Sequence, residues 1–137
     1  MNQDIIPMLT YENGVAAMEW LCHVFGFKEK TKWLDEQGRL THGELQMGDG
    51  IIMLADGNSY YQSPANHRKI CEQAKKWYSV PYIINGLLIY VHDVPAHFEN
   101  SKKQGAVILS GLEYGDPGTR YRAEDLEGQR WMFIQKS

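Results

Sequence analysis

One pattern is written twice along the chain, and no other feature constrains the fold as much. The first copy opens with an apolar strand from Ile5 to Thr10 and a turn at Glu12-Asn13. A helix carrying Ala16 and Ala17 follows and stops at Gly26. The second opens with a strand from Leu87 to Val91, turns at His92-Asp93, continues as a helix carrying Ala96 and stops at Gly105. Each closes on an acidic residue, a glycine and a last strand: Asp49-Gly50-Ile51-Ile52-Met53-Leu54, then Glu127-Gly128-Gln129-Arg130-Trp131-Met132. Half-modules of roughly fifty residues are too small to bury a good core alone, so both are expected in one domain. Module one is expected over residues 4–56, a linker over 57–84 and module two over 85–137.

Local signals fill in the elements. Asn13 suits a helix N-cap, because its side chain accepts from early helical N–H groups. Val15, Met18, Leu21-Cys22 and Phe25 then recur at helical spacing. Gly26 supplies the left-handed residue that ends a helix. From Lys28 to Leu34 the lysines alternate with Phe27, Thr31 and Trp33, apart from Glu29, the mark of a half-exposed strand. Glu36-Gln37-Gly38 reads as a hairpin turn, Leu40 to Met47 as the return strand, and Gly48-Asp49-Gly50 as the turn into Ile51–Ala55. The linker is polar around Asn58, Ser59 and Tyr60-Tyr61, then reads as one short helix from Ala65 to Trp77. A connection of this length often forms a lid or binding loop. In module two Asp93 caps a helix that tolerates Pro95 in its first turn. Short strands follow at Val107–Leu109, Thr119–Ala123 and Gln129–Gln135, with Gly111 to Gly118 as a loop. The fold class is α+β, two tandem βαβββ modules.

Composition narrows the partners. The chain has 137 residues, 43% apolar and 23% charged, with a net charge of −3. That is the profile of an ordinary globular domain, without the basic stripe a nucleic-acid partner favours. No apolar run approaches the roughly 18 residues of a bilayer span. Met1-Asn2-Gln3-Asp4 lacks the basic start of a signal peptide, so a cytoplasmic protein is expected, with Cys22 and Cys71 reduced.

The chain resembles the vicinal-oxygen-chelate superfamily, which holds glyoxalase I, bleomycin-resistance proteins and extradiol dioxygenases. The resemblance rests on Ile6-Pro7-Met8-Leu9, Phe25-Gly26-Phe27, Gly48-Asp49-Gly50-Ile51-Ile52-Met53-Leu54, Ser63-Pro64 and Tyr114-Gly115-Asp116. Its strongest stretch runs from Tyr121 to Trp131 and includes Asp125-Leu126-Glu127-Gly128 between the last two strands. It implies that the modules curl into a cup-shaped open barrel and that the protein is a homodimer. Enzymes of this family hold a divalent metal in the cup, on His and Glu ligands from the first and last strands of each module. The metal acts as a Lewis acid.

Carried onto this chain, the ligand positions fall at Ile6, Leu54 (Met53 with a register slip of one), Gly86 and Met132. None is an imidazole or hard oxygen ligand, and a thioether suits soft Cu(I) better than Mg, Mn, Ni or Zn. No metal and no other cofactor are therefore expected. The resemblance instead places Ile6, Met8, Thr10, Ile52, Leu54, Leu88, Tyr90, Arg130 and Met132 in the cup. Met8, Leu54, Tyr90, Arg130, Met132 and Trp33 are the expected ligand-binding residues. An apolar, methionine-containing lining with one arginine and one tyrosine suits a flat or flexible organic ligand. Trp33, Tyr60, Tyr61, Trp77 and Tyr78 either add stacking surface or fill a core or interface.

Catalytic candidates are fewer. His42 either points into the cup with Glu44 or makes a local strand hydrogen bond. His67 and Cys71 have a metal-binding spacing but no second pair, and Cys71 has no evident base, although Arg68, Lys69 and Lys75 are near it in sequence. His92 and His97 flank the second helix start and are expected in solvent. Glu124 and Asp125 are possible bases, Asp125 reading better as a turn residue. The leading expectation is a metal-independent small-molecule-binding protein that sequesters an antibiotic or toxic metabolite. The alternatives are a lyase, isomerase or dioxygenase of the same superfamily, and an interaction module with a vestigial pocket. Fold alone does not choose among them.

Overall fold

The structure, a computed structural model, describes residues 3–136; Met1 and Asn2 of the N-terminal segment and Ser137 at the end of module two lie outside them. The chain divides into two compact units, Met1–Gln62 and Ser63–Ser137. Among the described residues no helix is long and apolar enough to cross a membrane.

The first unit runs β1 (Met8–Tyr11), α1 (Gly14–Trp20) with a π-helical turn (Leu21–Phe25), β2 (Lys28–Leu34), β3 (Leu40–Met47) and β4 (Gly50–Asp56). Its sheet has the order β1-β4-β3-β2, with β1 parallel to β4 and the other pairs antiparallel. The Asn13 side chain accepts from Ala16 N–H at 3.1 Å, as a helix N-cap does. Gly26 ends the π turn at φ 87°, a conformation that side chains with a Cβ resist. Tyr11, Leu45, Ile52 and Leu54 are buried on one sheet face, and Ala17, Met18, Leu21, Val24 and Phe25 are the buried residues of the helical segment. Burying each large side chain of this set contributes about 1.5–3 kcal/mol. The approach is close at Gly43, where an added Cβ would stand 2.7 Å from Met18 Sδ.

The second unit begins with the linker helices α2 (Pro64–Ile70) and α3 (Glu72–Tyr78). It continues as β5 (Gly86–Val91), α4 (Val94–Lys103), β6 (Val107–Glu113), β7 (Arg120–Glu124) and β8 (Arg130–Gln135). Its sheet repeats the first, in the order β5-β8-β7-β6 with β5 parallel to β8. The fold is α+β with two tandem βαβββ modules, as the repeat implies. The correspondence reaches single hydrogen bonds. Asp93 caps α4 by accepting from Ala96 N–H at 3.0 Å, as Asn13 does for α1. The Gln135 side chain accepts from Val94 N–H at 2.9 Å, and Asp56 accepts from Gly14 N–H at 2.6 Å at the matching place.

Besides β6, which runs on to Glu113 into the segment read as a loop from Gly111, two expectations differ from the fold. The segment read as one helix from Ala65 to Trp77 breaks at Cys71, which is extended at φ −127° and ψ 110°. The break brings Arg68 and Tyr78 together. Ten residues apart, they would be separated by about 15 Å along a straight helix. Yet the Arg68 guanidinium sits 5.0 Å from the Tyr78 ring centre. The second difference is His97, which is not solvated. Its ring lies 4.2 Å from that of Phe133, and its Nδ1 is 2.5 Å from the Tyr121 hydroxyl, which donates to Ser101 Oγ at 2.9 Å. Tyr121 leaves the ordinary tyrosine range upward, because burial disfavours the phenolate.

Candidate functional site

The sheet of the second unit has two unlike faces. One carries Tyr121, Ala123, Trp131 and Phe133, all buried. On the other, the register aligns a row across four strands: Leu88 on β5, Met132 on β8, Arg122 on β7 and Ser110 on β6. A pocket of about 150 Å³ opens on this second face. Leu88, Arg122, Arg130 and Met132 line it from the sheet, and Pro81, Tyr82 and Ile84 from the end of the linker. A cavity of that volume admits a benzene-sized ring.

The linker is fastened here by a buried ion-pair cluster. Glu124, 2% exposed, takes a bidentate pair from Arg68 at 2.8 and 3.0 Å. It also accepts from Arg130 Nε at 3.2 Å and Nη2 at 3.0 Å. Arg130, 4% exposed, donates further to the carbonyls of Val80 (2.5 Å), Ile83 (3.4 Å) and Tyr78 (2.7 Å). These bonds engage all the N–H donors of a guanidinium, so Arg130 has none left for a ligand. The Tyr78 ring lies 5.0 Å from the Arg68 guanidinium and 4.8 Å from that of Arg130. Burial pushes the Tyr78 hydroxyl up, against the opposing pull of the two arginines.

Arg122 is placed differently. Arg39, Arg68, Arg120 and Arg130 each pair with a carboxylate; Arg122 pairs with none among the described residues. Its cross-strand neighbour Ser110 has a buried hydroxyl without a hydrogen-bond partner. The sequence reading missed both. The alternation Arg120, Arg122, Glu124 around buried Tyr121 and Ala123 was the available signal.

The first unit carries the matching row: Met8 on β1, Met53 on β4, Glu44 on β3 and Thr31 on β2. The neighbouring row sets Trp33 opposite His42. His42 Nε2 and Glu44 Oε2 are 2.7 Å apart, and Thr31 Oγ1 donates to Glu44 Oε1 at 3.3 Å. The Trp33 ring, 63% exposed, lies 5.0 Å from that of His42. The hydrogen bond from His42 is the main cause holding the Glu44 carboxyl below its usual range.

The expected binding residues therefore divide. Met132 lines the second-unit pocket. Tyr90 shares the Leu88 face and is 59% exposed. Met8, 80% exposed, and Trp33 lie on the open face of the first unit. Leu54 requires a correction: it is 2% exposed on the helix-facing side, and Met53 is the residue beside Met8. Ile52 shares that buried side, so the residues matching Arg130 and Met132 are Ile51 and Met53. Arg130 also lines the second-unit pocket, but its N–H donors are engaged by Glu124 and the linker carbonyls. Glu124 is held by two arginines, and Asp125 bonds Glu127 N–H, Gln129 N–H and the Trp131 indole, so neither is an available base. The superfamily's metal positions thus read Ile6 and Met53 in one unit, Gly86 and Met132 in the other. This donor set does not fit a hard divalent cation. Among the described residues no three His, Cys, Asp or Glu side chains converge either.

The same architecture recurs in solved structures. TioX from Micromonospora sp. ML1 is 26% identical at a TM-score of 0.71, over 98% of this chain and 97% of its own. TnmS3, an antibiotic binding protein from Streptomyces sp. CB03234, is 16% identical at a TM-score of 0.64, over 100% of this chain and 99% of its own. A glyoxalase I mutant from Zea mays is 16% identical at a TM-score of 0.70, over 96% of this chain and 44% of its own. No curated protein matches the chain. The family model for the Glyoxalase/Bleomycin resistance protein/Dioxygenase superfamily matches residues 8–133, nearly the whole sequence, and the chain belongs to that superfamily.

Proposed function

We propose that the protein is a metal-independent binder of a small organic molecule, of the antibiotic or toxic-metabolite class, which it sequesters as a cytoplasmic homodimer. The second-unit pocket carries this reading: apolar Leu88, Ile84 and Met132 line it with Arg122, which has no carboxylate partner among the described residues. Apolar walls with few polar groups are what a small-molecule site needs. The pocket's volume fits one ring of a ligand rather than a whole drug-sized molecule, which takes about 300–1,000 Å³. TnmS3, an antibiotic binding protein of this fold, makes the ligand class reasonable.

Native mass spectrometry of the protein as purified tests the reading. A metal-free dimer, with or without an added organic mass, is the expected result. One divalent ion per subunit would overturn metal independence. With a ligand in hand, Met132→Glu should weaken binding at least tenfold, because a carboxylate would enter an apolar wall. Unchanged affinity would remove the pocket from the binding site.

One observation favours an enzyme instead, a lyase, isomerase or dioxygenase. His42 and Glu44 form a carboxylate–imidazole pair on an open sheet face. In such a pair the carboxylate orients the ring and stabilises its protonated form, as general-base catalysis requires. Loss of a measured turnover in both His42→Gln and Glu44→Gln, with the fold intact, would select this reading.

A further inference from the structure

We propose that the second-unit pocket recognises an acidic ring: an aromatic carboxylate, or the carboxylate-bearing end of a larger flat molecule. The proposal rests on the small-molecule-binding reading above and adds the ligand's charge and the residues that read it.

Two independent observations meet in one row of the sheet. Arg122 lines the pocket and has no carboxylate partner among the described residues, whereas every other arginine of the chain has one. A guanidinium set against apolar walls, half-buried and without a counter-charge, favours an anion, and its planar fork matches a carboxylate in two-point contact. The second observation is the Ser110 hydroxyl. It is buried and bonds nothing, although buried polar groups in folded proteins nearly always find a partner. The register makes Ser110 the direct neighbour of Arg122 on the same face. An acceptor atom arriving at Arg122 therefore comes beside a hydroxyl that lacks an acceptor.

The rest of the pocket selects the body of the ligand. Leu88 and Met132 continue the row on the far side of Arg122, and Tyr82 and Ile84 come from the linker. A hydrated inorganic anion gains nothing from such walls; a ring does. Arg130 does not compete for the anion, because Glu124 and three carbonyls already occupy it.

The test uses two probes of one shape. Benzoate and benzamide are titrated into isotopically labelled protein and followed by amide and arginine side-chain NMR. Benzoate should bind about ten- to a hundredfold more tightly than benzamide, the span of a hydrogen-bonded charge pair. It should shift the Arg122 Nε–H resonance and the amides of Ser110 and Met132. Arg122→Gln should abolish the preference, leaving benzoate no better than benzamide, and Ser110→Ala should reduce it several-fold. Spectral dispersion of each variant reports that it is folded. Equal affinity for the two probes would overturn the acidic-ring assignment while leaving a binding pocket in place. Binding of neither would overturn the pocket reading itself and this proposal with it. A preference for benzoate that survives Arg122→Gln would overturn the assignment to Arg122. Inorganic phosphate binding as tightly as benzoate would mark a plain anion site and overturn the organic part of the proposal.

Discussion

The two units share a backbone plan and differ in the charge they place on it. Counting from the helix caps, Met8 corresponds to Leu88, and the strand registers then match Met53 to Met132, Glu44 to Arg122 and Thr31 to Ser110. Each row runs apolar residue, methionine, charged residue, hydroxyl. The charged position has opposite sign in the two units and an opposite state of pairing. Glu44 holds His42, while Arg122 holds no carboxylate among the described residues. One row closes its charge within the chain; the other leaves its guanidinium without a carboxylate among the described residues. The scaffold fixes where a polar group stands on the face, and the side chains on either side decide whether it is available.

The widest divergence lies one pairing step away. Where the second unit has Glu124 and Arg130, the first has Gln46 and Ile51. The second unit fastens the linker there through the charged side chains of Arg68, Glu124 and Arg130, whereas the first unit holds its N-terminal segment by a neutral two-way bond between the Gln3 amide and the Ile51 backbone. Glu124→Gln should therefore cost the most of any change considered, about 3–5 kcal/mol, because it leaves buried Arg130 without its counter-charge. Gln46→Ala, at the matching position, removes one exposed bond to the Gly48 carbonyl and should cost under about 1 kcal/mol. Urea denaturation of both variants measures the contrast. Similar losses would mean that the cluster is not what holds the linker.

How much of this was legible beforehand depended on turn length. Caps, glycine stops and alternation are local, so the strands and helices of both modules could be read from residues such as Asn13, Gly26 and Asp93. The register of β4 could not. Counting from the shared acidic-Gly phrase assumes that both hairpins have one loop length. Gly48-Asp49 connects β3 to β4 directly, whereas Asp125 to Gln129 intervene between β7 and β8. Between matching positions the second hairpin is one residue longer, Arg122 to Met132 against Glu44 to Met53, and that one step put Leu54 where Met53 belongs. The engagement of Arg130 with the linker was hidden for a different reason. Its carbonyl partners on Tyr78, Val80 and Ile83 lie far away along the chain, and no local pattern reports a carbonyl fifty residues off.

The core offers a second contrast. Gly43 and Tyr121 occupy matching places, beneath Met18 and Phe98 respectively. Met18 packs down to where a Cβ would be; Tyr121 fills the space with its own ring and meets Phe98 edge-on at 5.1 Å. Gly43→Ala should overpack the first unit and cost about 1–3 kcal/mol. A neutral result in thermal unfolding would mean that Met18 swings aside. The caps come next. Asn13→Ala and Asp93→Ala should each cost about 1 kcal/mol, and by similar amounts, because both make the same bond to the same kind of helix start. Unequal losses would show that the repeat differs even in its conserved-looking turns.

The smallest effect belongs to the charged position itself. Glu44 has its carboxyl held low in the folded state, chiefly by the hydrogen bond from His42, with Thr31 contributing. A carboxyl depressed on folding adds stability above its unfolded pKa, and that stability disappears as the pH falls through the folded pKa. The thermal midpoint should therefore drop on acidification in part through Glu44, beginning in the ordinary carboxylate range and continuing below it. Glu44→Gln should flatten that part of the profile, and the small loss should appear at neutrality, where the carboxylate's contribution is present in the unmodified protein. The matching variant, Arg122→Gln, should leave the profile as it is across the same range, because no carboxylate among the described residues depends on Arg122. A pH profile altered by Arg122→Gln would reveal an internal partner for that guanidinium. The second unit's charge would then be as closed as the first unit's, and the contrast between the two rows would vanish.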